Sequence, residues 1–221
     1  MTQAQLLEAA RYAVLRRMSS ALRHQIAGSL QPVNMIASMV QRRTQMDEPD
    51  LVVLRKNCSE MSALSRKASA ECTALIGWLA PLEGEQAAID AAVKDCLDLL
   101  ATEFSFRGFS VVNSLKESEP LVSRTAVRTV LPAALMALTD AAVQPLQLHL
   151  SADTAASMVT LSIGVQPYVQ ERYAGDRVFD PSKVSRIVSW QEVELLAEAE
   201  SVKIGTRPDG SVDLMFPVRP Q

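Results

Sequence analysis

Apolar positions in the first third of the chain follow a helical spacing. Leu15, Leu22, Ile26, Val33, Ile36 and Val40 recur at steps of three and four, with Ser19 and Ser29 filling gaps. This predicts an amphipathic helix over residues 3–43, with Thr2 as N-cap. A turn follows at 45–49, where Asp47 can cap a second helix with Pro49 in its first turn. In that second helix Leu51, Leu54, Cys58, Met61, Ser65, Ala68, Cys72, Leu75 and Leu79 keep a heptad rhythm until Pro81 stops it. Such a hairpin carries more apolar surface than its own two helices can cover. A two-fold pair of hairpins closing a four-helix bundle is the expected solution. The alternative is a monomeric hairpin covered by the rest of the chain.

Beyond residue 83 the pattern changes. Residues 86–104 read as a helix, 109–112 as a strand, and Ser123 caps a helix running to about Ala142. Residues 146–151 and 158–165 alternate as half-buried strands. Asp180-Pro181 opens a helix to about Ala199. Strands at 202–205 and 212–218 flank the turn signal Arg207-Pro208-Asp209-Gly210. The expected fold is α+β. A hairpin domain (1–82) precedes a sandwich domain (83–221) with helices on one face of a sheet.

Composition narrows the function. In 221 residues, 48% are hydrophobic and the net charge is −3, which gives no reason to expect nucleic acid or an anionic membrane as partner. The longest apolar run, Val130 to Leu138, is too short to span a bilayer, and charges at Glu8, Arg11, Arg16 and Arg17 argue against a signal peptide. Cys58, Cys72 and Cys96 form no CxxC pair, and His24 and His149 are the only histidines, so no metal site is expected. Three reduced thiols imply the cytoplasm. His149, between Leu148 and Leu150 on a strand, should face away from the core.

His24 lies about 180° from the middle of the apolar stripe at roughly 100° per residue, so it should face solvent midway along a long helix. Its helical neighbours Arg17, Ser20, Ala27, Gly28 and Gln31 are mostly small, so another protein's surface could approach the imidazole. Pro32 cannot donate to the Gly28 carbonyl, which predicts a kink just past the histidine. Spacing alone does not overturn the plainer reading of His24 as an ordinary surface histidine on an amphipathic helix.

The stretch from His24 to Val33 resembles the H-box of histidine kinases, matched by His24, Ile26, Leu30, Gln31, Pro32 and Val33. Gln25 stands where that family has an acidic residue that helps accept the imidazole proton. Ala27 and Gly28 replace asparagines, and Ser29 stands where many members have proline. More loosely, His24 and Gly28 resemble the His-x-x-Lys-Gly pattern of monomeric phosphotransfer domains, with Ala27 in place of lysine. Residues 86–112, including Arg107-Gly108-Phe109, are similar to the start of the kinase ATP-binding domain. Its N-box asparagines fall at Ala133 and Ala137, near Asp140, which cannot replace both. Its Asp-x-Gly-x-Gly falls at Val165-Gln166-Pro167. Of the Gly-rich lid only Gly175 remains.

The resemblance thus implies a degenerate ATP-binding domain of the GHKL (Bergerat) type with no cofactor. It implies a dimeric histidine phosphotransferase, a histidine phosphotransfer protein that moves phosphate between response-regulator receiver domains through His24. Arg17, Ser20, Gln25, Ala27, Gly28 and Gln31 would border the docking face. The alternative is a pseudokinase-like adaptor that binds a receiver or a histidine kinase without carrying phosphate.

Overall fold

The computed structural model describes residues 2–79, 84–117, 120–155, 157–167 and 186–219. The chain forms two compact units. Ser19–Pro81 make one, and Met1–Met18 with Leu82–Gln221 make the other. The first eighteen residues, assigned to the hairpin from sequence, thus belong to the unit that holds the sheet.

Helix α1 spans Gln3–Thr44. Thr2 caps it reciprocally: the Gln5 amide donates to Thr2 Oγ1 (3.3 Å) and the Thr2 amide to Gln5 Oε1 (2.9 Å). Helix α2 spans Leu51–Leu79. Its cap is Asp50, not Asp47: Asp50 Oδ1 accepts from the amides of Val52 (2.9 Å) and Val53 (3.1 Å). The reason is local. A cap at Asp47 would put Pro49, which has no N–H, where an amide donor is needed.

In the hairpin unit, Leu22, Ile36, Ala68, Leu75 and Trp78 are buried, whereas Ile26, Leu30, Leu51 and Leu79 of the expected stripes are exposed. Cys58 is exposed and Cys72 half-buried, so of the three thiols only Cys96 is fully packed. Its burial pushes that thiol far up from its ordinary pKa and keeps it neutral.

In the second unit, residues 86–88 are a strand, β1 (Gln86–Ala88), and helix α3 covers Ile89–Phe106. The sequence expectation of a helix from residue 86 is corrected by a partner unseen from local pattern. That partner is β3 (Leu121–Ser123), which pairs antiparallel with β1. Strand β2 (Ser110–Asn113) lies between them in the chain. Gly108, at φ 78°, ends α3 in the left-handed conformation, and the Phe109 amide closes back on the Phe104 carbonyl at 2.9 Å. Helix α4 covers Arg124–Ala141, with Ser123 Oγ accepting from the Ala126 amide as expected of a cap.

Strands β4 (Leu146–Ala155) and β5 (Met158–Pro167) form a long antiparallel pair. Helix α5 runs Trp190–Ala199, later than the expected start at Asp180-Pro181, which lies outside the described residues. Strands β6 (Lys203–Thr206) and β7 (Val212–Pro217) flank the expected turn, where Gly210 has φ 82°. The five-stranded sheet has the order β2-β4-β5-β7-β6, antiparallel except for the parallel β2–β4 pair.

One face of that sheet is fully buried through Leu148, Leu150, Val159, Leu161, Ile163, Leu214 and Phe216. Helices contribute Val93, Cys96, Leu100, Phe104, Val130, Leu131 and Leu135 to the same core. The fold is therefore α+β, a long helical hairpin followed by a mixed-sheet domain. His149 is half-buried on the alternate face, with Nε2 2.9 Å from Gln147 Oε1. No described helix is long and apolar enough to cross a membrane.

Candidate functional site: the groove beside His24

His24 is exposed on α1, inside the hairpin unit, as the helical angle predicts. It lines an open groove of about 380 Å³ with Gln25, Gly28, Ser29 and Pro32 of α1. The opposite wall is Leu64, Lys67, Ala68 and Glu71 of α2. Helical geometry explains the arrangement. Gln25, Ser29, Pro32 and Ile36 turn toward α2, and His24 and Gly28 lie at the edge of that face. Any Cβ added at Gly28 would meet nothing within 4 Å, so the surface beside the imidazole is open.

Polar contacts organise the floor of the groove. Ser29 Oγ lies 3.0 Å from the Gln25 carbonyl oxygen and also donates to Glu71 Oε2. Lys67 Nζ lies 3.8 Å from the other carboxylate oxygen of Glu71, an i,i+4 pair on α2. The groove thus holds one imidazole, one ammonium, one carboxylate, a hydroxyl and the Gln25 amide.

The other residues proposed from sequence separate into two groups. Ser20, Ala27 and Gln31 are exposed on α1 and do not line the groove. Arg17 is a correction: it is buried in the other unit. Its Nη2 pairs with Glu103 Oε1 at 2.6 Å and with Asp140 Oδ1 at 3.1 Å. Its ion-pair partners come from distant segments, which local helical spacing could not anticipate.

The four residues of α2 were missed by sequence reasoning. A usable signal existed. In an antiparallel hairpin, residues equally far from the turn face each other, and Gln25 and Glu71 are nearly equidistant from the turn at 45–50.

Residues aligned with nucleotide motifs are placed as follows. Ala133 and Ala137 are buried in α4. Asp140 accepts from Arg107 Nη2 (2.7 Å) and from the Val188 amide (3.0 Å). Val165 pairs across the sheet with Leu148, and Gln166 and Pro167 are exposed at the end of β5. Gly175 lies outside the described residues. Among the described residues, no group of three or more His, Cys, Asp or Glu side chains is placed to hold a metal ion.

No family model matches the chain, and no curated protein matches it. Solved structures similar to it include the histidine kinase AdeS of Acinetobacter baumannii, at 13% identity and a TM-score of 0.43, covering 85% of this chain and 96% of that one. The catalytic domain of histidine kinase ThkA is similar at 13% identity and TM-score 0.45, covering 63% and 100%. A bacterial phosphotransferase is similar at 12% identity and TM-score 0.39, covering 92% and 95%.

Proposed function

We propose that the chain is a histidine phosphotransferase of two-component signalling, working as a homodimer and without ATP. In this reading His24 takes a phosphoryl group from the aspartyl phosphate of one response-regulator receiver and passes it to another. The observation that carries the reading is the exposed imidazole at the edge of a groove built by both hairpin helices. In the transfer, a lone pair of the neutral ring forms the N–P bond as the P–O bond to the receiver aspartate breaks. The carboxylate leaves with the bonding electrons. The phosphorylated ring stays cationic until the hydrogen on its other nitrogen passes to water. Delivery to the second receiver reverses these steps. The receiver brings the magnesium and the acidic cluster that such transfer needs, so the phosphotransferase must supply an open, oriented nucleophile. Ser20, Gln25, Ala27, Gly28 and Gln31 border the docking face; Arg17, buried elsewhere, is excluded from it.

Two features support the absence of nucleotide chemistry. Ala133 and Ala137 carry no oxygen or nitrogen ligand for magnesium or phosphate. Val165 offers no carboxylate to an adenine amino group. Incubation with phosphorylated receivers is expected to put acid-labile phosphate on the wild type and none on His24→Ala. A nucleotide titration is expected to show no binding in the micromolar range, and such binding would overturn the ATP part of the reading.

A second reading is favoured by Gln25, which cannot take a proton as a carboxylate does. Under it the chain is an adaptor that binds a receiver or a histidine kinase without carrying phosphate. Receiver binding with no label on His24 is the outcome that selects it.

A further inference from the structure

The α1 side of the groove offers no cation. Gln25, Gly28, Ser29 and Pro32, which line it beside His24, are all uncharged, and Arg23, the cation next to His24 in sequence, is not among the lining residues. A phosphoryl group on the imidazole carries up to two negative charges, which no α1 residue lining the groove balances. The single cation among the residues that line the groove is Lys67, contributed by α2.

Its present partner is weakly held. Lys67 Nζ sits 3.8 Å from Glu71 Oε1, near the outer limit of an ion pair, and its side chain is 72% exposed. A pair of that kind contributes little, so leaving it costs little. The lysine stem is long and flexible, with three donors at its tip. Glu71 is held separately by Ser29, so it does not depend on Lys67 for its position.

We propose that Lys67 is the phosphoryl-holding cation of this site. It moves from Glu71 to the phosphoryl oxygens when His24 becomes phosphorylated and returns when the group departs. The proposal rests on the reading of His24 as a phosphoryl carrier. The hairpin register then supplies from α2 the charge that the α1 wall of the groove lacks. No bond forms or breaks at Lys67; its ammonium donates hydrogen bonds and stays protonated throughout.

The test uses phosphoramidate, a small-molecule phosphoryl donor, on the full chain, with the phosphohistidine followed by phosphorus NMR. His24→Ala assigns the signal. A cation beside the group favours its dianion, so the second protonation midpoint of the phosphoryl group is lower than without it. With Lys67→Met or Lys67→Gln the midpoint is expected to rise by about half a unit, a threefold change in the protonation constant, and Lys67→Arg is expected to keep it near wild type. A merely structural role would not move that midpoint. Circular dichroism checks that the variants remain folded, as expected for an exposed helical position. Equal midpoints in wild type and Lys67→Met overturn the proposal, as does failure of His24 to phosphorylate while free histidine does. A midpoint that depends on Lys67, alongside no label from any receiver, supports the phosphoryl site and removes the receiver reading instead.

Discussion

Asp140 sits where four parts of the sheet-bearing unit meet. Its carboxylate is 1% exposed and receives Arg17, Arg107 and the Val188 amide. Arg107 also donates to the Thr139 hydroxyl and carbonyl, both at 3.2 Å, and lies 5.0 Å from the centre of the Phe109 ring. Glu103 completes a cluster of two cations and two anions. Burial raises the Glu103 pKa, opposed by Arg17 and Arg107, and burial lowers that of Arg107, opposed by Asp140. Each charge is thus tolerable only while its partners remain. Asp140→Asn leaves two guanidinium groups facing one carboxylate, and is expected to cost about 3 kcal/mol. Urea unfolding should show this as a lower midpoint, whereas Asp153→Asn on the exposed end of β4 should stay within about 0.5 kcal/mol of wild type. The same cluster explains why Arg17 was misread from sequence. His24 and Arg17 lie on one side of the ideal helix, but Arg17 has Glu103 and Asp140 to meet, 86 and 123 residues away in the chain. The exposure of His24 needed only the helical angle.

Helix ends are where the chain's local chemistry is strongest, and α5 makes it measurable. Ser189 and Glu192 form a capping box: the Glu192 amide donates to Ser189 Oγ at 3.3 Å and the Ser189 amide to Glu192 Oε2 at 2.8 Å. Burial alone would raise the Glu192 pKa, but hydrogen bonds from Ser189 and the pairing with Arg186 outweigh it and hold the group below the ordinary glutamate value. A depressed folded-state pKa means that the carboxylate form stabilises the fold. That contribution is complete above the unfolded pKa and disappears as pH falls through the folded one. The Ser189 amide is therefore expected to lose exchange protection on acidification below about pH 4. In Glu192→Gln this acid-dependent loss should be absent; an unchanged acid limb in the variant would contradict the assignment. Caps of this kind were legible at Thr2 and Ser123, because each needs only a side-chain oxygen and a nearby amide. The start of α2 was legible to within one turn, and the missing proline N–H decided it. The strand character of residues 86–88 and the parallel β2–β4 pairing were not legible, because both depend on partners far along the chain. The α1 wall of the groove was read in part from sequence, at His24, Gln25 and Gly28, whereas the α2 wall needed the hairpin register as well.

The hairpin leaves a further apolar flank without cover, which bears on the assembled molecule. Ile26 and Leu30 on α1 are 36% and 43% exposed, and Leu51 on α2 is 70% exposed. At about 100° per residue, Ile26, Leu30, Val33 and Ala37 fall in one narrow sector of α1, with His24 and Met35 on the far side. On α2, Leu51, Leu54, Cys58 and Met61 likewise share a sector, turned away from Lys67. Pairing these flanks across a two-fold axis would cover the apolar residues and leave both His24 grooves open. The exposed flank itself was readable from the heptad rhythm, as a strip too wide for one neighbour. The wild type is expected to sediment at twice the 24.1 kDa chain mass. Leu30→Glu places a charge at the centre of the flank and should shift the population to single chains. Met35→Glu, equally a charge on an exposed apolar site of α1 but on the histidine side, should leave the dimer intact. Helical content by circular dichroism separates dissociation from unfolding in each variant. Wild type sedimenting as a single chain would overturn the homodimer, and dissociation by Met35→Glu but not by Leu30→Glu would place its contact elsewhere.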